Sequence, residues 1–208
     1  MDIHKPKAAH SLREFVIEIA TITVGILIAL SLEALVQAHH DHEMVEHARA
    51  DLRKELTANR TALASTIAQQ KMALVALDSF VRYGRARLKG KREPFPPNFS
   101  FGIDLIPMNT AAWESTSASQ ALAHMPYEEA HRLAKAYAGS RSYDVYQVEA
   151  ATHLYELASL PEDLDTLSGD DLKSAVHEVA LNRAHEASLL RSGEGLLKIY
   201  DEALADLR

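Results

Sequence analysis

The apolar positions change their period along this chain. Residues 15–38, FVIEIATITVGILIALSLEALVQA, are apolar around the whole helical circumference, the pattern of a helix surrounded by lipid rather than one with a single buried stripe. From 44 to 88, Val45, Ala48, Leu52, Leu56, Leu63, Ile67, Leu74, Leu77 and Val81 recur at threes and fours, without Pro or Gly before Gly84. That spacing predicts one long amphipathic helix, continuous with the apolar run as a stalk. Asn59 and Gln70 are its polar interruptions. Val45, Leu56 and Ile67 follow an eleven-residue repeat, which predicts a nearly straight or slightly right-handed packing seam instead of a strict heptad.

The period then stops. KREPFPPNFSFGIDLIP at 91–107 holds four prolines, so 91–108 reads as a surface connection tacked down by Phe95, Phe99 and Phe101. Asn109 or Thr110 can cap a short helix that holds Trp113 and ends near Met125. Pro126 suits the first position of a helix over 126–159, with Gly139 a candidate break. Its tyrosines, Tyr137, Tyr143, Tyr146 and Tyr155, read as half-buried packing residues and not as a ligand cage. Pro161 and SGDD at 168–171 set off a last helix over about 170–207, with Leu172, Val176, Val179, Leu189 and Leu190 as its apolar positions. The expected fold is all-α: an N-terminal transmembrane helix running into a long stalk helix, with an antiparallel helical bundle of three long helices and a short one.

Composition agrees and narrows the partners. The 208 residues are 47% hydrophobic, with only 8 Gly and 7 Pro, which favours helix over strand. A formal net charge of -7 argues against nucleic acid, because neutralising phosphates needs a basic face. GRARLKGKR at 84–92 reads as a solvated helix end. The absence of cysteine excludes disulfides and thiol chemistry while leaving the compartment open.

Lys5, Lys7 and Arg13 precede the apolar run, which orients a span with its N-terminus in the cytoplasm. The uncharged centre, 19–32, is short for a bilayer, so Glu18 and Glu33 decide whether it can cross. They stand fifteen residues apart, about 22 Å along a helix, which puts each a few Å inside the interfaces of a core about 30 Å thick. There a carboxylate can snorkel or accept a partner's hydrogen bond. A cleaved signal peptide ending at VQA, 36–38, and a buried helix of a soluble protein are the alternatives. EIATITVGILIALSLE resembles the N-terminal anchor of a group of uncharacterised bacterial single-span membrane proteins. The likeness covers about 18–32, with a weaker one at AWESTSASQALAHMP, 112–126. It implies a retained anchor and carries no activity. The expected organisation is a cytoplasmic segment at 1–14, an anchor at 15–38 and an extracytoplasmic bundle at 39–208, set in a bacterial inner membrane.

At 100° per residue, Glu18, Gly25, Ala29 and Glu33 share a stripe about 80° wide with Thr21 beside it. Gly25 and Ala29 form a small-xxx-small pair, which lets another helix approach closely. HHDHEMVEH at 39–47 continues this chemistry: His40, Glu43 and His47 lie at i, i+3 and i+7, with His39, His42 and Glu46 adjoining. Imidazole and carboxylate suit Zn2+ if another chain completes the set; no other cofactor is implied. On the same wheel these residues extend the Glu18–Glu33 stripe, whereas Val45, Leu52 and Leu56 face away.

Other constellations carry less. HEVALNRAHE at 177–186 has Leu181 where a helical metal pair needs its second His. WESTSASQ at 113–120 lacks the strained glycines of a nucleophile elbow. No enzyme is expected. The leading expectation is a non-enzymatic assembly or accessory subunit that meets the bilayer and either a second copy or another integral membrane protein through its span and stalk. The alternative is a metal- or pH-responsive module using the juxtamembrane histidines, since imidazole exchanges its proton near neutrality.

Overall fold

A computed structural model of the chain describes residues 12–96, 99, 105–157 and 163–207, with the side chains of 154–156 excepted. Lys5, Lys7, Phe101, Pro161 and the Tyr155 side chain lie outside the described residues. Five helices account for the secondary structure there, and no strand occurs among the described residues: α1 Leu12–Leu88, α2 Ala111–Ala118, α3 Ala121–His124, α4 Tyr127–Leu157 and α5 Gly169–Asp206. The chain divides into two compact units, Met1–His47 and Ala48–Arg208.

In the first unit, α1 exposes its whole circumference. Every described residue from Leu12 to His40 is exposed, Leu30 at 55% and Leu32 at 60% among them. This is one helix long and apolar enough to cross a membrane. Val45 is the first buried position.

In the second unit, burial along α1 falls on Ala48, Leu52, Leu56, Asn59, Leu63, Ile67 and Gln70, then on Leu77, Val81 and Gly84, with Thr66, Phe80 and Tyr83 buried beside them. Up to Gln70 these steps follow the eleven-residue spacing, so Asn59 and Gln70 occupy the phase of Ala48 and are core residues. Leu63, Gln70, Leu77 and Gly84 then follow one another by sevens. The interior direction is therefore set by the apolar pattern, and two amides were placed inside it.

α4 runs in the same direction as α1, because Arg49 meets Glu129, Glu55 meets Tyr137 and Gln70 meets Tyr143. α5 runs against both: Arg60 pairs with Asp201, Lys71 with Glu194 and Asp78 with Arg183. The bundle is antiparallel through α5, and of the connection before α4 the described residues lie near Phe80 and Tyr83 at Phe95 and Phe99 and near Asn59 at Asn109. Phe99 is stacked on Phe80 at 4.8 Å and Phe95 is edge-on to Tyr83 at 5.2 Å. Beneath them Leu77, Phe80, Val81, Tyr83, Leu157, Leu172, Val176 and Val179 form the buried cluster between α1 and the ends of α4 and α5.

Glycines let the helices close up. A Cβ on Gly84 would lie 2.1 Å from Val176 Cγ2, and one on Gly139 would lie 2.8 Å from Leu196 Cδ1. Gly139 does not break α4, contrary to the sequence expectation, because its place is a contact with α5 and not a bend. The single short helix expected around Trp113 is two, α2 and α3. Gln120 separates them in the left-handed region at φ 64°, a conformation that costs a non-glycine residue something like 1 kcal/mol.

Candidate functional site

Along the first unit, Glu18, Thr21, Gly25, Ala29 and Glu33 are all exposed on α1. The unbroken helix brings them to one face. Thr21 donates its hydroxyl to the Ile17 carbonyl at 2.8 Å, a local bond that removes its proton from use by a partner. A Cβ at Gly25 would meet nothing within 4 Å. The face is open.

His40, Glu43 and His47 are likewise exposed on α1, one above another. His39 Nε2 lies 3.5 Å from Glu43 Oε1, and Gln37 donates to Asp41 at 2.7 Å. Among the described residues no three His, Asp or Glu side chains converge as a metal site would require. His40, Glu43 and His47 alone offer one side of a coordination sphere, so Zn2+ would need ligands from elsewhere.

The second unit holds a constellation that sequence patterning did not single out. Residues 105–113 cross α1 and α4, and side chains satisfy their backbone. Gln147 on α4 brackets Ile106, accepting its N–H at 3.1 Å and donating to its carbonyl at 3.0 Å. Asn59 on α1 does the same to Asn109, at 2.9 and 2.8 Å. Asp144 accepts the Met108 N–H at 3.3 Å and a bond from Gln147 at 3.1 Å. Glu55 accepts the N–H groups of Ala112 and Trp113, in the first turn of α2, at 2.9 and 3.4 Å. A carboxylate there satisfies free donors and meets the positive end of the helix dipole. Thr110 precedes α2 but makes no side-chain cap bond; Glu55 supplies the oxygen instead.

Tyr137 ties this array to the core. Its hydroxyl donates to Glu55 Oε1 at 2.7 Å, and its ring stacks on Trp113 at 5.0 Å and 20°. Burial first, then the bond to Glu55 and its charge, push the Tyr137 phenol well above its ordinary value. Burial pushes Asp144 up too, against the bonds from Met108 and Gln147 that hold it down. Tyr137 and Tyr143 are fully buried and hydrogen-bonded, not half-buried as their spacing suggested, because each phenol finds a polar partner on α1.

One level further, Gln70 donates to the Tyr143 hydroxyl at 3.3 Å. Glu186, 4% exposed, has its carboxyl pushed up by burial; Tyr143 is raised by its own burial first, with the Glu186 charge adding to it against the bond from Gln70. Ser140 and Tyr200 share a bond at 2.6 Å, with Tyr200 pushed up to about 12 by burial above all. Gln70 Oε1 and Asn182 Oδ1 are buried without a hydrogen-bond partner among the described residues. The signal for these groups existed in the sequence as polar residues on the buried phase of their helices, Glu129, Ser140 and Gln147 on α4 and Asn182 and Glu186 on α5.

Chemically, the array at 105–113 is a backbone holder. Comparison with protein families, curated proteins and solved structures finds no match.

Proposed function

We propose that this chain is a non-enzymatic, membrane-anchored helical protein that serves as an assembly or accessory subunit, docking on another membrane helix through its span. One observation carries the reading: the apolar stretch of α1 is long and apolar enough to cross a membrane and is exposed along its described length. A stretch of that kind is stable in lipid or against a partner and unstable in water. Glu18, Gly25, Ala29 and Glu33 give it one face of close approach with a carboxylate toward each end. The partner is a second copy or another integral membrane protein. Basic Lys5, Lys7 and Arg13 favour a cytoplasmic N-terminus, which puts 39–208 in the periplasm of a bacterial inner membrane. The likeness of 18–32 to single-span anchors supports retention of this segment.

Gly25→Leu fills the stripe. Co-purification or crosslinking of the full chain from solubilised membranes is expected to fall several-fold with this variant, and unchanged recovery of partners overturns docking through this face. A second reading has its own observation, the exposure of His40, Glu43 and His47 on one helical face: a metal- or pH-responsive surface next to the membrane. Replacing His39, His40, His42 and His47 together by Gln is expected to abolish Zn2+ retention or a pH response. Behaviour like that of the parent chain rejects this reading.

A further inference from the structure

Late in α1, one uncovered stripe changes from apolar to basic. Met72 and Val75 stand 67% and 70% exposed, and the same helical face continues in steps of three and four through Ser79, Arg82 and Ala86. From Met72 to Leu88 is about 24 Å at 1.5 Å per residue. Residues 93–96 flank this stripe, and Met72, Val75, Tyr83, Pro94, Phe95 and Pro96 line the groove between them, about 780 Å³ in volume. Its wall is pinned, because Phe95 packs edge-on against Phe80 and Tyr83. Pro94 and Pro96 have no N–H to donate, so the wall offers little to a strand added at its edge. The groove presents side chains instead, an adaptable methionine among them.

The end of the groove nearest the α1 terminus is cationic. Arg82 and Glu93 line both the groove and a second cleft, where Arg85, Lys89 and Lys91 join them. Arg87 and Arg92 line a third cleft, which shares Lys91 and Glu93. All six cations fall within 82–92, a run without an acid in a chain of net charge -7. Among the described residues none of the six forms an ion pair. Of the two carboxylates in the second cleft, Asp78 is taken by Arg183 and only Glu93 remains. The helix dipole favours cations in the last turn, which accounts for Arg85 and Arg87 but not for Arg82 before it or Lys91 and Arg92 beyond it.

We propose that this groove docks an acidic amphipathic helix of a partner protein, its apolar side chains over Met72 and Val75 and its carboxylates over Arg82, Arg85 and Lys89. Charge complementarity selects the occupant: an apolar stripe continued by unpaired cations is matched by an apolar stripe continued by acids. A concave groove along a helix suits a second helix rather than the flat face of a bilayer, and its apolar half gives a free phosphate nothing to bind. The proposal stands apart from docking through the span.

The test uses the full chain in phosphatidylcholine nanodiscs, titrated into a fluorescent synthetic helix about 18 residues long with Leu on one face and Glu on the other. A twin helix carries Lys in place of Glu. Anisotropy, corrected for empty discs, is expected to show the acidic helix binding about tenfold more tightly than its twin. Val75→Glu should weaken that binding about tenfold by placing a charge in the apolar half. Arg82→Gln with Arg85→Gln should weaken it several-fold and flatten its dependence on salt. Gly25→Leu should leave it unchanged, so this proposal and docking through the span fail separately. No binding of the acidic helix overturns the proposal, and so does equal binding of the twin or indifference to Val75→Glu. Flotation with phosphatidylglycerol vesicles that needs Arg82 and Arg85, without helix binding, assigns the patch to lipid and overturns it too. The substituted side chains in the groove are exposed, and unchanged melting of each variant separates lost docking from lost fold.

Discussion

Glu186 is an acid in an environment that disfavours its charge. It sits 4% exposed on α5, and burial raises its carboxyl. A carboxyl raised in the folded chain binds more protons folded than unfolded. The folded state therefore loses stability as pH climbs from the ordinary carboxylate range through the raised value, and regains it on acidification. Glu186→Gln keeps the shape and removes the charge. It is expected to lift the melting temperature by a few degrees at pH 7 to 8, with the gap closing near pH 4; a gap independent of pH would show that charge is not the cause. Arg49 and Glu129 are the contrasting case. Their paired bonds, 2.7 and 2.6 Å long, join α1 to the first turn of α4 with Glu129 6% exposed. Arg49→Ala leaves a buried carboxylate unpaired and is expected to cost about 3 to 5 kcal/mol in chemical unfolding, whereas a loss below about 1 kcal/mol would place the pair with weak surface bridges.

At the scale of elements, the helices meet where side chains are missing. Val176 is β-branched and stiff at χ1, so it cannot swing clear of a methyl at Gly84. Gly84→Ala gains about 1 kcal/mol of helix propensity, yet it forces α1 from α5, and overpacking of this kind costs about 1 to 3 kcal/mol. Net destabilisation is expected in thermal unfolding, relieved when Val176→Ala is added; stabilisation by Gly84→Ala alone would refute the close approach. The helix ends were largely legible in sequence because the proline-bearing run from 91, Pro126 and SGDD punctuate the period, and α1 ends at Leu88 as the pattern predicts. The hold on residues 105–113 was not, because its donors and acceptors come from four positions far apart in sequence, Glu55, Asn59, Asp144 and Gln147, whose register only packing determines. Asn59 and Gln70 read as interruptions of an apolar stripe. In the fold they are the stripe's hydrogen-bonding members, and Gln70 retains an orphaned oxygen.

At the scale of the whole molecule, the two compact units make different demands on the solvent. The second carries its own core of fully buried side chains such as Leu52, Leu56, Leu63, Phe80, Leu133 and Tyr137, and each large apolar side chain of that kind contributes about 1.5 to 3 kcal/mol on burial. In the first, Phe15 through Val36 expose their apolar side chains without exception, an arrangement that water disfavours. The apolar run announced that exposure in sequence, whereas a face made of Gly25 and Ala29 carries no signature of what it would meet. A charge in the run should separate the two demands. Ile26→Arg places a guanidinium near the middle of the apolar stretch, where insertion costs about 2.5 to 3.5 kcal/mol. The variant is expected to shift a large share of the chain from the carbonate-resistant membrane fraction to the soluble or aggregated one. The melting transition of the second unit should stay within a degree or two of the parent chain, followed through the fluorescence of Trp113, the only tryptophan. Intact mass of the membrane-bound parent chain checks retention directly: a species beginning at His39 would mean cleavage after VQA. Undiminished membrane fractionation of Ile26→Arg would mean that the apolar run is covered by a protein partner and not by lipid.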